Sequence, residues 1–316
     1  MGDRVLRLLD EGHRVEVLAA GDVPSVTVEG HLIVRRVPAS PALFYGEGAP
    51  EALERGGAIW LAAAQFSTAL AAAARQRRGD WDAIESHWLV PSALAASAAA
   101  PGHARRAFAH SGDVALLARI PFGRAIARRL ARDGTDLRFV SAALQARFSR
   151  LCGNLENVGS VQTLEVPPAL FAPRAAPDAA LRRRLGVAAP TVLAVGRLVP
   201  IKGHAALLHA CARARTATAA HRRPELVILG EGPERARLIR LAAALEVPLR
   251  LVGTVPRAEV ADWLRAADLF AHPSGRLANG RTEGAPIAAR EAHAVGIPMV
   301  VTNEIGALAR AIGALS

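Results

Sequence analysis

From residue 191 onward, short apolar runs alternate with helix-forming stretches. That alternation restricts the second half of the chain to a parallel α/β arrangement. Thr191–Val195, Glu225–Leu229, Leu249–Gly253 and Leu269–His272 are brief runs rich in Val, Leu and Ile. They are too short for helices, and their near-continuous apolarity fits strands buried on both faces. His204 to about Thr216, Glu234–Leu245 and Arg257–Ala267 are dominated by Ala, Leu and Arg, which favour helix. A further helix is expected to begin at Pro286, a residue tolerated in a first turn, and to end at Gly296. A strand follows over Ile297–Val301. Glycine-bearing loops follow two of the strands, Gly196–Gly203 and Gly230–Pro233.

The first half reads as a second α/β unit. Strands are expected at Arg14–Ala20, His31–Val37, Trp81–Ser86, Ala104–Ala109 and Leu137–Val140. Helices are expected at the N-terminus, Leu53–Arg78, Ser92–Ala100, Ile126–Arg132 and Ala142–Arg150, the last capped by Ser141. The prolines of Thr163–Pro173 stiffen a boundary. They divide the 316 residues into 1–167 and 168–316, a normal size for two domains.

Composition bounds the partners. Hydrophobic residues make up 51%, enough for real cores, but aromatics only 4%. The formal charge is +11 and Lys202 is the only lysine. The arginines are scattered along helices and stacking aromatics are sparse, so nucleic-acid binding is disfavoured. A general Ala/Arg bias, with attraction to an anionic membrane surface, accounts for the charge. Two distant cysteines, Cys152 and Cys211, fit a reducing compartment without disulfides or a metal cluster. Gly56–Ala74 is uncharged, yet it is mostly alanine and carries Gln65, Ser67 and Thr68, so it does not read as a membrane span. Met1-Gly2-Asp3-Arg4 leads into an amphipathic segment and does not read as a secretory signal.

The chemistry-bearing residues gather in loops. Glu283 and Glu291 lie on either side of the start of the helix after Pro286, where free amides and the positive dipole end favour phosphate. Arg197 and Lys202 sit in the Gly196–Gly203 loop. A lone lysine in a chain that otherwise uses arginine marks a position needing a compact charge. His272 and His293 lack metal-like partners, and Ser111, Asp113 and Asp3 form no triad.

Several of these patterns occur together in one family. They are Glu283-Gly284-Ala285-Pro286 with Glu291 and Gly296-Ile297-Pro298, the loop Gly196-Arg197-Leu198-x-x-x-Lys202-Gly203, and the turns His87-Trp88-Leu89-Val90-Pro91 and His110-Ser111-Gly112-Asp113. The set resembles the retaining glycosyltransferases of family 4. The departures are Ser-Gly in the histidine turn, where the family has Gly-x, and Ala169 replacing a linker glycine. The resemblance implies two facing Rossmann-like domains (GT-B), each a parallel sheet with helices on both faces. The first reads the acceptor and the second binds a nucleotide-diphosphate sugar.

On the same resemblance, the donor is held by Gly196, Arg197, Lys202, Gly232, the Gly284–Ile287 amides (Gly284, Ala285, Pro286 and Ile287 as the segment) and Glu291. Arg197 and Lys202 would contact the diphosphate and Glu291 the ribose. Glu283 and His110 would act on the transferred sugar. The base would lie along Gly253–Val260. No metal or cofactor is implied. The acceptor would be a glycan or a lipid-linked molecule, and the location cytoplasmic, peripheral at the inner membrane face. The family would place a strand and a Gly-rich loop before residue 2, and a tail after Ser316, so the chain reads as truncated at both ends. Two alternatives stay open: an inactive or donor-binding-only fragment, and a GT-B nucleotide-sugar epimerase. An NAD oxidoreductase is disfavoured, because no G-x-G-x-x-G follows a first strand.

Overall fold

The structure, a computed structural model, describes residues 2–44, 53, 56–163, 165–187, 190–215, 224–275 and 286–315. The chain forms two compact units, Met1–Thr163 and Leu164–Ser316. The boundary read from the prolines falls a few residues later, after Pro167.

In the first unit the strands divide over two sheets. In one, β1 (Val15–Gly21) runs parallel to β3 (Leu32–Pro38), and β2 (Ser25–Glu29) lies antiparallel on the far edge of β3. The helix Ala58–Arg77 covers this sheet, with Phe66 and Leu70 packed in a cluster with Val37, Leu43, Leu53 and Ala95. Glu16 on β1 ties the layers together, accepting from Trp81 Nε1 at 2.8 Å and Arg35 Nε at 3.0 Å. Burial would raise the Glu16 carboxyl, but Trp81, Arg35 and Arg77 outweigh it and hold it below its ordinary value. The second sheet is fully parallel, in the order β4 (Ala83–His87), β5 (Ala104–Ala109), β6 (Asp136–Phe139), β7 (Ser160–Val161). Ala107, Phe108 and Ala109 of β5 are buried, as a central strand requires.

The second unit has one parallel sheet of five strands. Its order is β10 (Leu249–Gly253), β9 (Glu225–Leu229), β8 (Thr191–Val195), β11 (Leu269–His272), β12 (Met299–Val301). Successive residues face opposite ways. Val192, Ala194, Leu226 and Ile228 join a cluster under the helices His204–Arg215, Arg235–Ala244 and Ile305–Gly313. Leu193, Val227, Leu229 and Phe270 join the opposite cluster, under Arg257–Ala266 and Ile287–Val295. Both faces are therefore covered, which is why the strands read as unbroken apolar runs. The chain moves from β8 outward to β9 and β10, then returns to β11 and β12 on the other side. The order therefore reverses between β8 and β11, and the crevice beyond their carboxyl ends is where such sheets bind ligands.

Candidate functional site

In the second unit the carboxyl-end loops are joined by backbone hydrogen bonds. Gly196 N donates to Leu229 O at 2.9 Å, Leu198 N to Glu231 O at 2.9 Å, and Glu234 N to Leu198 O at 3.0 Å. Close packing makes glycine necessary at two points. A Cβ on Gly230 (φ 146°) would lie 2.1 Å from Gly196 O, and one on Gly203 (φ 69°) would lie 2.2 Å from Pro273 O. The loop after β8 is thus wedged between the loops after β9 and β11, at the reversal of strand order.

Lys202 ends a short 3₁₀ turn, Pro200–Lys202, and folds back over Gly196. Its Nζ lies 3.4 Å from where a Cβ on Gly196 would stand. Lys202 is half-buried and its side chain thus lies over the end of β8, while Arg197 of the same loop is exposed. His204 opens the following helix, and its Nε2 lies 3.2 Å from Arg197 O. His204 is 2% exposed, and burial pushes it down to about 4, so it anchors this loop as a neutral ring.

The helix Ile287–Val295 starts after Pro286, which has extended backbone at the cap, and ends on left-handed Gly296. Ile287 is exposed at its first position. Glu291 is buried, and its Oε1 accepts from Arg257 Nε at 2.8 Å. The Arg257 guanidinium also lies over the Phe171 ring. Arg257 is a partner the sequence did not suggest; only its place at the start of a helix after β10 hinted at it. Gly232 is half-buried in the loop after β9. Glu283, Gly284 and Ala285 lie outside the described residues.

In the first unit His110 follows β5 and His87 ends β4, neighbouring parallel strands. His87 Nδ1 and His110 Nε2 are 3.2 Å apart. The His87 ring stacks on Phe108 at 5.0 Å and on His110 at 5.4 Å. Burial, with help from His87, pushes His110 down to about 4, so its imidazole is neutral near pH 7. Asp113 is fully buried and accepts from the backbone N–H groups of Leu89, His110 and Val114 at 2.9–3.0 Å. Burial raises its carboxyl against these donors. Asp113 therefore shapes the turn that carries His110 rather than completing a triad. Among the described residues, no group of three or more His, Cys, Asp or Glu side chains is disposed to hold a metal. Nor is any described helix long and apolar enough to cross a membrane.

Comparison with known proteins places this geometry. Residues 181–315, which include every strand of the second unit, match the family model for glycosyl transferases group 1. Over 252 residues the chain is 33% identical to a GDP-mannose-dependent alpha-(1-6)-phosphatidylinositol monomannoside mannosyltransferase of Mycolicibacterium smegmatis. That alignment covers 74% of this chain and 63% of the relative, so the chain spans less than two thirds of the relative's length. An alpha,alpha-trehalose 6-phosphate synthase structure from Burkholderia multivorans has a TM-score of 0.73 at 15% identity, over 98% of this chain and 83% of that one. Anabaena HepE, solved with UDP and glucose, has a TM-score of 0.64 at 18% identity, over 90% of this chain and 76% of that one. At such identities these structures speak to the fold alone. The group 1 match thus lies over the sheet that bears the Gly196–Gly203 loop, and the relatives and solved structures that this chain resembles are glycosyltransferases of GT-B fold.

Proposed function

We propose that this protein moves a hexosyl group from a nucleotide-diphosphate sugar to a glycan or lipid-linked acceptor, with retention of anomeric configuration and without a metal. One observation carries the reading: the group 1 match spans a sheet at whose switch point the chain's only lysine folds over a glycine. In the transfer the bond from the anomeric carbon to the diphosphate oxygen breaks. The bond to the acceptor oxygen forms on the same face, and the acceptor proton passes to the leaving phosphate. Negative charge grows on that phosphate, and the Lys202 ammonium with Arg197 beside it meets it. The helix N-terminus at Pro286–Ile287 adds its dipole. Glu283 and His110 act on the transferred sugar, and Glu291 on the ribose, with Arg257 holding the Glu291 carboxylate.

The relative's name favours GDP-mannose as donor and a phosphatidylinositol mannoside as acceptor. A lipid-linked acceptor would bring the protein to the cytoplasmic face of an anionic membrane as a peripheral protein.

The test is a screen of UDP- and GDP-hexoses for acceptor-dependent nucleotide release, with and without EDTA. The anomer formed is read by NMR. Transfer should survive EDTA, and Lys202→Ala should lower kcat by about 10²–10³-fold. Undiminished turnover in both Lys202→Ala and Glu283→Ala would remove the site assignment. An epimerase would convert the nucleotide sugar with no acceptor present.

A further inference from the structure

Behind His110 stands a line of charge that sugar transfer as outlined above does not use. Arg4, on the helix Gly2–Asp10, lies 3.3 Å from Glu85 on β4. Glu85 Oε1 lies 3.7 Å from His87 Nε2, and His87 Nδ1 lies 3.2 Å from His110 Nε2. Burial would raise the Glu85 carboxyl, but His87 and Arg4 outweigh it and keep it anionic. Asp113, the buried carboxylate at this turn, is spent on backbone N–H groups.

Proton positions follow from this order. A carboxylate facing Nε2 of His87 favours the proton on that nitrogen, because a lone pair there would be repelled. In the neutral ring, Nδ1 is then the acceptor. The nitrogen facing it, His110 Nε2, must therefore carry a proton and donate. That leaves Nδ1 of His110 with its lone pair. Among the described residues, Nδ1 of His110 has no protein hydrogen-bond partner and is not sealed from solvent. The parallel register that pairs His87 with Phe108 is what brings the two rings together.

We propose that Glu85 and His87 are positioning residues that lock His110 in its Nε2–H tautomer, so that it presents Nδ1 as a hydrogen-bond acceptor to a hydroxyl of the transferred sugar or the acceptor. The inference rests on the glycosyltransferase reading for its ligand. The tautomer itself does not depend on that reading. A ring turned the other way would offer N–H to the hydroxyl and could not take its hydrogen bond.

The experiment is ¹⁵N–¹H long-range correlation NMR on the full chain, labelled at histidine, with His110 assigned by comparison with His110→Gln. It is repeated on Glu85→Gln and His87→Asn. Glu85→Gln preserves shape, and thermal melting checks that each variant folds. Near pH 7.5 the unaltered chain should give the Nε2–H pattern at His110. Both variants should shift toward the Nδ1–H form, and Glu85→Asp should restore the original pattern. In the transfer assay the same variants should lower kcat about tenfold and leave donor KM within twofold. Nδ1–H at His110 in the unaltered chain would overturn the relay, as would a tautomer unchanged in both variants. Failure of every nucleotide-sugar assay alongside the expected NMR pattern would count against the proposed function and leave the tautomer lock standing.

Discussion

The two units place a histidine beside the carboxyl ends of parallel strands, and they use it in opposite ways. In the second unit His204 is sealed in, with Nε2 beside the Arg197 carbonyl, and its role is to hold a loop. In the first unit His110 is held from behind by His87 and keeps its other nitrogen open. The surroundings differ in the same sense. The second unit builds its loop after β8 from backbone, from glycines in close contact and from one lysine. The first builds its turn from side chains, with Asp113 collecting backbone N–H groups and Glu85 facing His87. A site made of backbone is specified by spacing along the chain. A site made of paired side chains is specified by the register of neighbouring strands.

Acid titration should expose this difference most strongly. A histidine whose folded pKa is depressed binds its proton more readily when unfolded, so stability is lost as pH falls. For His204 the window runs from its ordinary value of 6.5 down to about 4. That span corresponds to a loss of up to about 3 kcal/mol, complete below the folded pKa. His110 titrates over the same window but is less enclosed, and should contribute less. Urea midpoints at pH 7 and pH 4.5 measure the slope. His204→Gln should flatten it, and equal slopes in both proteins would show that burial of this ring has no energetic consequence.

Glycine replacement comes next in size. Gly230→Ala drives a methyl group into the Gly196 carbonyl and should cost about 1–3 kcal/mol. Gly102→Ala in the first unit meets nothing within 4 Å and should leave the melting temperature nearly unchanged. Similar losses for the two would mean that the close-packed loops of the second unit are no more constrained than an open turn.

The smallest effects should come from the helix caps, where the units are alike. Ser141 Oγ accepts from Leu144 N at 3.3 Å in the first unit, and Asp178 Oδ1 accepts from Ala180 N at 2.8 Å in the second. Ser141→Ala and Asp178→Ala should each cost about 1 kcal/mol by chemical denaturation. A large gap between them would show that local capping, too, depends on which unit it serves.

How much of this could be read from the sequence follows the same division. The boundaries of β8, β9, β10 and β11 were legible residue for residue, because strands covered on both faces carry no alternation to misread. β2 was missed. All five of its residues are exposed, so no buried face marks Ser25–Glu29 as a strand, and its valines at 26 and 28 remain in solvent. The short helix Gly112–Leu117 begins inside the histidine turn, whose Ser-Gly-Asp run carries no helical signal, and the helix Ile305–Gly313 follows β12. Lys202 and Gly196 could be linked by spacing within one loop. Glu85, His87 and His110 could not, because they meet only once β4 and β5 are set in register. The Arg257–Glu291 pair joins two helices and was equally invisible along the chain.

The position of Lys202 has a practical consequence. No other side chain in the protein bears a primary amine. An amine-directed acylating or reductive-alkylation reagent therefore has one internal target, placed over the end of β8. The chain comes with a built-in attachment point for a fluorophore or crosslinker at the switch point, and mass spectrometry of the tagged peptide would report occupancy there without any engineered residue.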